Sequence, residues 1–376
     1  MIRVLQFADI INRYDFIDNI IQFANPEEFE INVCVRSEQH NIASPVFPER
    51  SKYKLLRGNS KKELFSSAWK LSRLLKKWNI DILHTHHFDQ AIIGWFATKI
   101  YPKTKLVIGR HYSDALYRLP NRLKQRLLLK IEQKINNSAS RIIVPSKYIF
   151  EILTQTQHVN ANKIDIVLYG FDPKKYMEPS AEAIANVRKE FMMEERFVIG
   201  NFSRLHEEKG HIYLLNAVSK AKEYIPNLLL LIVGEGSERK KIEKLINESG
   251  LSNIVKLLGW RKDAMVIMKA VDIVVQSTLQ EAFSQVMCES LWMGRPLVMT
   301  DVSGAIDIIK DRENGLLVPR ENAQLMADAI IELVQDTELR NKVSQNGRSY
   351  VERKLSISSI IPLYEASYRK VLGIAN

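Results

Sequence analysis

Residues 276–300 read Gln-Ser-Thr-Leu-Gln-Glu-Ala-Phe-Ser-Gln-Val-Met-Cys-Glu-Ser-Leu-Trp-Met-Gly-Arg-Pro-Leu-Val-Met-Thr, and they have the grammar of one α/β unit. An apolar strand, Asp272 to Gln276, leads into a polar turn, a helix, a Gly-Arg-Pro break and a second apolar strand. Glu281 stands in the turn and Glu289 about a turn and a half into the helix, with Ser284 between them as an N-cap. A helix N-terminus at the C-terminal edge of a parallel sheet is where an open α/β sheet takes phosphate. Two acids beside it suit a ligand carrying both phosphate and hydroxyls, of which a nucleotide-sugar is the obvious example.

Outward from this unit the same alternation continues. Strands are expected at Phe197–Phe202, Leu228–Val233, Ile254–Leu258, Asp272–Gln276, Pro296–Thr300 and Gly315–Val318. An earlier set comprises Ile2–Phe7, Ile31–Val35, Tyr53–Leu56, Ile80–His84, Lys105–Gly109, Arg141–Val144 and Ile164–Leu168, with helices between. Strand-helix alternation predicts parallel, doubly wound sheets that bind ligands at the C-terminal ends of their strands. The fold class is therefore α/β with two Rossmann-like domains. We expect the first at 1–172 joined by a terminal helix in 356–376, a connection at 173–185 carrying two prolines in a polar context, and the second at 186–355.

At 376 residues, 46% apolar and 26% charged, the chain has room for two cores. No run reaches the ~18 apolar residues that span a bilayer. Met1 to Asp9 turns polar too soon for a signal peptide, and two cysteines give neither a disulfide framework nor metal-site spacing. A cytoplasmic setting is expected, with contact to the inner face of the membrane left open. Residues 1–180 hold 28 Lys+Arg against 17 Asp+Glu, so the whole excess of +11 belongs to the first half. A basic half attracts anionic substrates, anionic membranes or nucleic acid, but the last is disfavoured for want of a recognised binding motif. Leucines and isoleucines of 115–135 recur every three or four residues among six basic side chains. Such a helix can lie on an anionic membrane, or bury its leucines with the basic face solvated.

Gly200-Asn-Phe-Ser-Arg-Leu-His-Glu-Glu-Lys-Gly210 projects Arg204 and Lys209 from a strand-to-helix loop, where a diphosphate needs a bidentate fork and a point charge. Gly234 opens a tight turn after an apolar strand. Ile82-Leu-His-Thr-His-His87 gathers histidines at a strand end; with no cysteine or second ligand cluster, a zinc site is not expected.

Glu281-Ala-Phe-Ser with Glu289 and Gly294-Arg-Pro, supported by the Arg204 and Lys209 string, resembles the paired-glutamate motif of retaining glycosyltransferases of the GT-B fold, family four (glycosyl transferases group 1). Gly is commoner there at 282 and 284. The resemblance implies two domains facing across a cleft, the second holding a nucleotide-sugar (UDP- or GDP-sugar) and the first a glycan, lipid-linked or small-molecule acceptor. It implies that Arg204 and Lys209 hold the diphosphate, Glu281 the sugar hydroxyls and Glu289 the ribose. Gly234, Trp260, Arg261, Phe283, Ser284 and Gln285 complete the donor site. It further implies that His111 acts on the transferred sugar, by a hydrogen bond or by stabilising positive charge, and that the terminal helix returns to the first domain. Acceptor-side candidates are Asn12, Arg13, His86 and Gly170, although the family's Gly-Gly turn is absent at Ala8–Tyr14 and Tyr169 replaces its usual Asn. No obligatory metal or cofactor is expected. A GT-B epimerase or phosphorylase, or a non-catalytic nucleotide-sugar-binding subunit, are the competing functions.

Overall fold

The computed structural model describes residues 1–9, 15–37, 51–58, 63–111 and 121–374. The chain divides into two compact units, 1–171 with 355–376, and 172–354.

The first unit is built on β1 (Ile2–Ala8), β2 (Phe29–Ser37), β3 (Tyr53–Arg57), β4 (Ile82–His86), β5 (Lys105–Gly109), β6 (Arg141–Val144) and β7 (Ile164–Ile166). These pair in parallel in the order β3-β2-β1-β4-β5-β6-β7. β1, β2 and β4 are buried on both faces, as a parallel sheet covered by helices requires. β4 begins two residues later than expected. Ile80 N–H bonds back to Leu75 O at 3.0 Å, and Asn79 adopts φ 50°, so these residues close the preceding helix Leu64–Lys77. The terminal helix Ile357–Leu372 returns to this unit. It buries Ile360, Ile361, Tyr364 and Tyr368 in the core with β1, β2 and β4.

The second unit contains β8 (Phe197–Phe202), β9 (Leu228–Val233), β10 (Val255–Gly259), β11 (Ile273–Gln276), β12 (Leu297–Thr300) and β13 (Leu316–Val318), ordered β10-β9-β8-β11-β12-β13. All six residues of β9 are buried. In both sheets the order reverses once, between β1 and β4 and between β8 and β11. Side by side at such a point, two strand-to-helix loops leave in opposite directions and open a crevice.

One expectation is corrected. Residues 173–185 are part of the second unit rather than a connection. Ser180 caps helix Ala181–Glu190 by accepting from Ala183 N–H at 3.1 Å, and Arg188 of that helix donates to Ala270 O at 2.7 Å. The prolines punctuate only its approach. In the basic segment, the described helix Arg122–Ser138 buries its leucine and isoleucine stripe only at its C-terminal end. It buries Glu132, Ile135 and Asn136, while Leu123 and Leu127 are 79% and 60% exposed. The buried acid faces the equally buried Arg110 guanidinium at 3.5 Å, and Asn136 donates to Gln157 Oε1 at 2.7 Å. A buried ion pair left with one partner is costly, so these polar bonds fix which side of the helix turns inward.

Candidate functional site

In the second unit the loops following β8, β9, β11 and β12 are laced together at the C-terminal edge of the sheet. Leu279 N–H donates to Glu208 O and Ser277 Oγ donates to Lys209 O, both at 2.8 Å. Gly210 has φ 62°, and a Cβ there would lie 2.3 Å from Ser277 O. Gly234 is required more sharply still: φ is 145° and a Cβ would meet Ser203 O at 1.9 Å. Only glycine lets these backbones approach. On the other side, Ser303 Oγ donates to Glu281 O at 2.6 Å.

This lacing brings residues 72 positions apart into contact. Lys209 Nζ donates to Glu281 Oε2 at 2.6 Å, with side-chain exposures of 13% and 24%. Such a pair is worth more than a surface one because water screens it less. Beside it, Ser284 caps helix Gln285–Trp292 by accepting from Met287 N–H at 3.2 Å. Glu289 lies half-buried on that helix and Phe283 is buried beneath the loop. Arg204 shares the loop of Lys209 but is 65% exposed, paired with Glu208 at 2.8 Å. The site thus offers a helix N-terminus, a fixed lysine, an exposed arginine held only by a surface pair and a carboxylate, a set suited to a diphosphate joined to a polyol.

Two donor-side candidates are engaged within the protein. Arg261 forks onto Glu190 at 3.0 and 3.2 Å and onto Asp263, over the Phe191 ring, so a ligand would have to compete for it. Gln285 Nε2 donates to Tyr176 Oη at 2.7 Å. Trp260 is 68% exposed. One residue the sequence reading missed is His211. Ser203 Oγ donates to Asn201 Oδ1 at 2.9 Å, so His211 Nε2 donates to Ser203 Oγ at 3.0 Å. Asn201 Nδ2 in turn donates to Val275 O at 2.8 Å, tying β8 to β11 at the reversal. Burial first, and the charge of Lys209 second, push this imidazole down to about 4. Its place two residues after Lys209 was the available signal.

The corresponding edge of the first unit holds a buried chain of uncharged side chains. Tyr169 Oη donates to His111 Nδ1 at 2.5 Å, and His111 Nε2 lies 2.8 Å from His86 Nδ1. His86 Nε2 meets Gln6 Oε1 at 2.8 Å; Gln6 Nε2 donates to Tyr368 Oη, which reaches His84 Nδ1, both at 2.9 Å. Because Gln6 Oε1 only accepts, His86 carries its proton on Nε2, and His111 therefore donates from Nε2 and accepts at Nδ1. The chain runs in one direction from Tyr169 to His84. Burial, reinforced by the neighbouring histidines, holds His86 and His111 well below the usual range; burial alone takes His84 to about 3. A Cβ on Gly109 would stand 2.7 to 2.9 Å from ring nitrogens of all three. Both ring nitrogens of His111 are used inside the unit, so a nitrogen contact to a ligand requires one of these bonds to open.

Gly170 O accepts from Asn19 Nδ2 at 2.9 Å; Asn12 and Arg13 lie outside the described residues. Among the described residues no group of three or more His, Cys, Asp and Glu is arranged to hold a metal.

Residues 182–350 match the family described as glycosyl transferases group 1, and residues 17–175 match glycosyltransferase family 4. The chain belongs to the group 1 glycosyltransferases. This glycosyltransferase is 32% identical over 167 residues to a lipopolysaccharide core biosynthesis glycosyltransferase of Rhizobium meliloti, covering 44% of this chain and 48% of that protein. It is 25% identical to the Escherichia coli UDP-Gal:alpha-D-GlcNAc-diphosphoundecaprenol alpha-1,3-galactosyltransferase, covering 76% and 74%. Among solved structures, the Anabaena protein HepE in complex with UDP superposes with a TM-score of 0.82 at 21% identity, over 97% of this chain and 99% of that one. The fold of this glycosyltransferase is GT-B.

Proposed function

We propose that this glycosyltransferase moves a hexose from a nucleoside-diphosphate donor, UDP- or GDP-linked, to a hydroxyl acceptor with retention of anomeric configuration. The observation that carries the reading is the 2.6 Å pair of Lys209 and Glu281, beside the capped start of helix Gln285–Trp292. Lys209, Arg204 and the helix N-terminus neutralise the departing diphosphate, which is charge stabilisation placed where charge develops. Glu281 receives sugar hydroxyls and Glu289 the ribose. In a retaining transfer the acceptor hydroxyl attacks from the face the diphosphate leaves, and a phosphate oxygen takes its proton. The step needs no obligatory divalent ion, so turnover persists in chelator.

The relatives named for lipopolysaccharide and diphosphoundecaprenol substrates support a role in cell-surface glycan synthesis on a glycan or lipid-linked acceptor. The basic helix supports docking on the inner face of an anionic membrane. Leu123 and Leu127 are exposed among Arg122, Lys124 and Arg126, next to an apolar pocket of about 650 Å³ lined by Phe65, Trp95 and Leu128. No helix among the described residues is long and apolar enough to cross a membrane.

Incubation with UDP- and GDP-sugars, followed by NMR of the anomeric proton, tests the reading. Released sugar should first appear in the donor's configuration. Inverted sugar contradicts retention, epimerised or phosphorolysed donor indicates the related GT-B chemistries, and binding without turnover indicates a non-catalytic subunit.

A further inference from the structure

A groove of about 1130 Å³ lies in the first unit between the edge strand β3 and helix Leu64–Lys77. Its cations are Lys54 and Arg57 from the strand and Lys70, Arg73, Lys76 and Lys77 from the helix, and no acid lines it among the described residues. All six are exposed, and none forms an ion pair with another described residue. In the second unit, by contrast, Arg204, Arg239, Arg261, Arg312, Arg320 and Arg348 each meet a carboxylate. Like charges held together without counter-charge repel one another and raise a positive potential that an anion relieves.

The groove is also aromatic. Trp69 is 53% exposed, Trp78 lines the same groove, and the Arg73 guanidinium sits 4.9 Å from the Trp69 ring centre, within cation–π range. Indole faces pack against the apolar faces of sugar rings, while ammonium and guanidinium groups pair with carboxylate or phosphate. A bilayer surface would meet cations on a convex crest; these line a concavity that one strand can enter.

We propose that this groove binds an anionic saccharide strand, one bearing carboxylate or phosphate on successive residues, and so grips a growing acceptor away from its reacting end. The proposal rests on the reading of the chain as a transferase to glycan acceptors and specifies which glycans.

The test uses the full chain and an oligogalacturonate, with a maltooligosaccharide of equal length, single-stranded oligo(dT) and phosphatidylglycerol vesicles as comparators, in calorimetric titrations at low and moderate salt. Oligogalacturonate should bind and weaken with salt, and the neutral oligosaccharide should not compete. K70E/R73E/K76E should weaken binding roughly tenfold or more, and W69A roughly threefold with the salt slope unchanged. These positions are exposed, and circular dichroism checks that each variant folds. Unchanged affinity in the triple variant, equal competition by maltooligosaccharide, or tighter binding of oligo(dT) or vesicles in the same groove overturns the proposal. Donor hydrolysis without acceptor reports on the other unit. Its loss with saccharide binding intact would remove the transferase reading and leave the groove standing.

Discussion

The two sheets share one strand order, yet their C-terminal edges at the point of reversal are chemically opposite. In the second unit the edge is charged: Lys209 and Glu281 meet at 2.6 Å between loops laced by Gly210 and Gly234. In the first unit the buried groups there are uncharged, a one-way chain of histidines, tyrosines and Gln6. The scaffold therefore sets where a ligand can bind, while the side chains on each edge decide whether that ligand carries phosphate.

The contrast breaks most readily at Lys209. Lys209→Ala removes the point charge and strands Glu281, and donor turnover should fall on the order of 10²–10³-fold with nucleoside-diphosphate binding weakened in parallel. His111→Ala should leave that binding unaltered; if it, and not Lys209→Ala, abolished the binding, the assignment of the two edges would be reversed.

Acid should separate the units by a smaller amount. A buried histidine held below its unfolded value of about 6.5 favours the folded state fully above that pH and loses this contribution as pH falls. His84, His86 and His111 all belong to the first unit and only His211, at about 4, to the second site. Each adds a slope of up to about 1.4 kcal/mol per pH unit below about 6.5. Hydrogen exchange between about pH 7 and 5.5, where paired carboxylates stay ionised, should show the first unit losing stability faster, and equal losses would contradict the neutral chain. The smallest effect belongs to Glu208→Gln, which severs an exposed pair with Arg204 and should cost about 0.5 kcal/mol or less in thermal unfolding.

The strands were legible because parallel sheets are buried on both faces, so Leu228–Val233 reads as an unbroken apolar run. The turn at Gly234 and the strand-end positions of Lys209 and Glu281 were legible from residue type, but their bond to each other was not. What escaped depends on partners remote in sequence. Nothing near His84 announces Tyr368, 284 residues away, and nothing near Arg261 announces Glu190. In helix Arg122–Ser138 the leucine period left open which side turns inward, and the buried pair of Arg110 with Glu132, remote in sequence, could not be read from it. Two prolines in 173–185 read as a break, where the segment already belongs to the second unit and leads into helix Ala181–Glu190.

A crystal structure of the chain soaked with UDP or GDP tests the central claim most directly. The diphosphate should lie within hydrogen-bond reach of Lys209 Nζ and the first N–H groups of helix Gln285–Trp292, with the ribose at Glu289. A nucleotide seated elsewhere, with Lys209 still bound to Glu281 and its helix N-terminus untouched, would contradict the account.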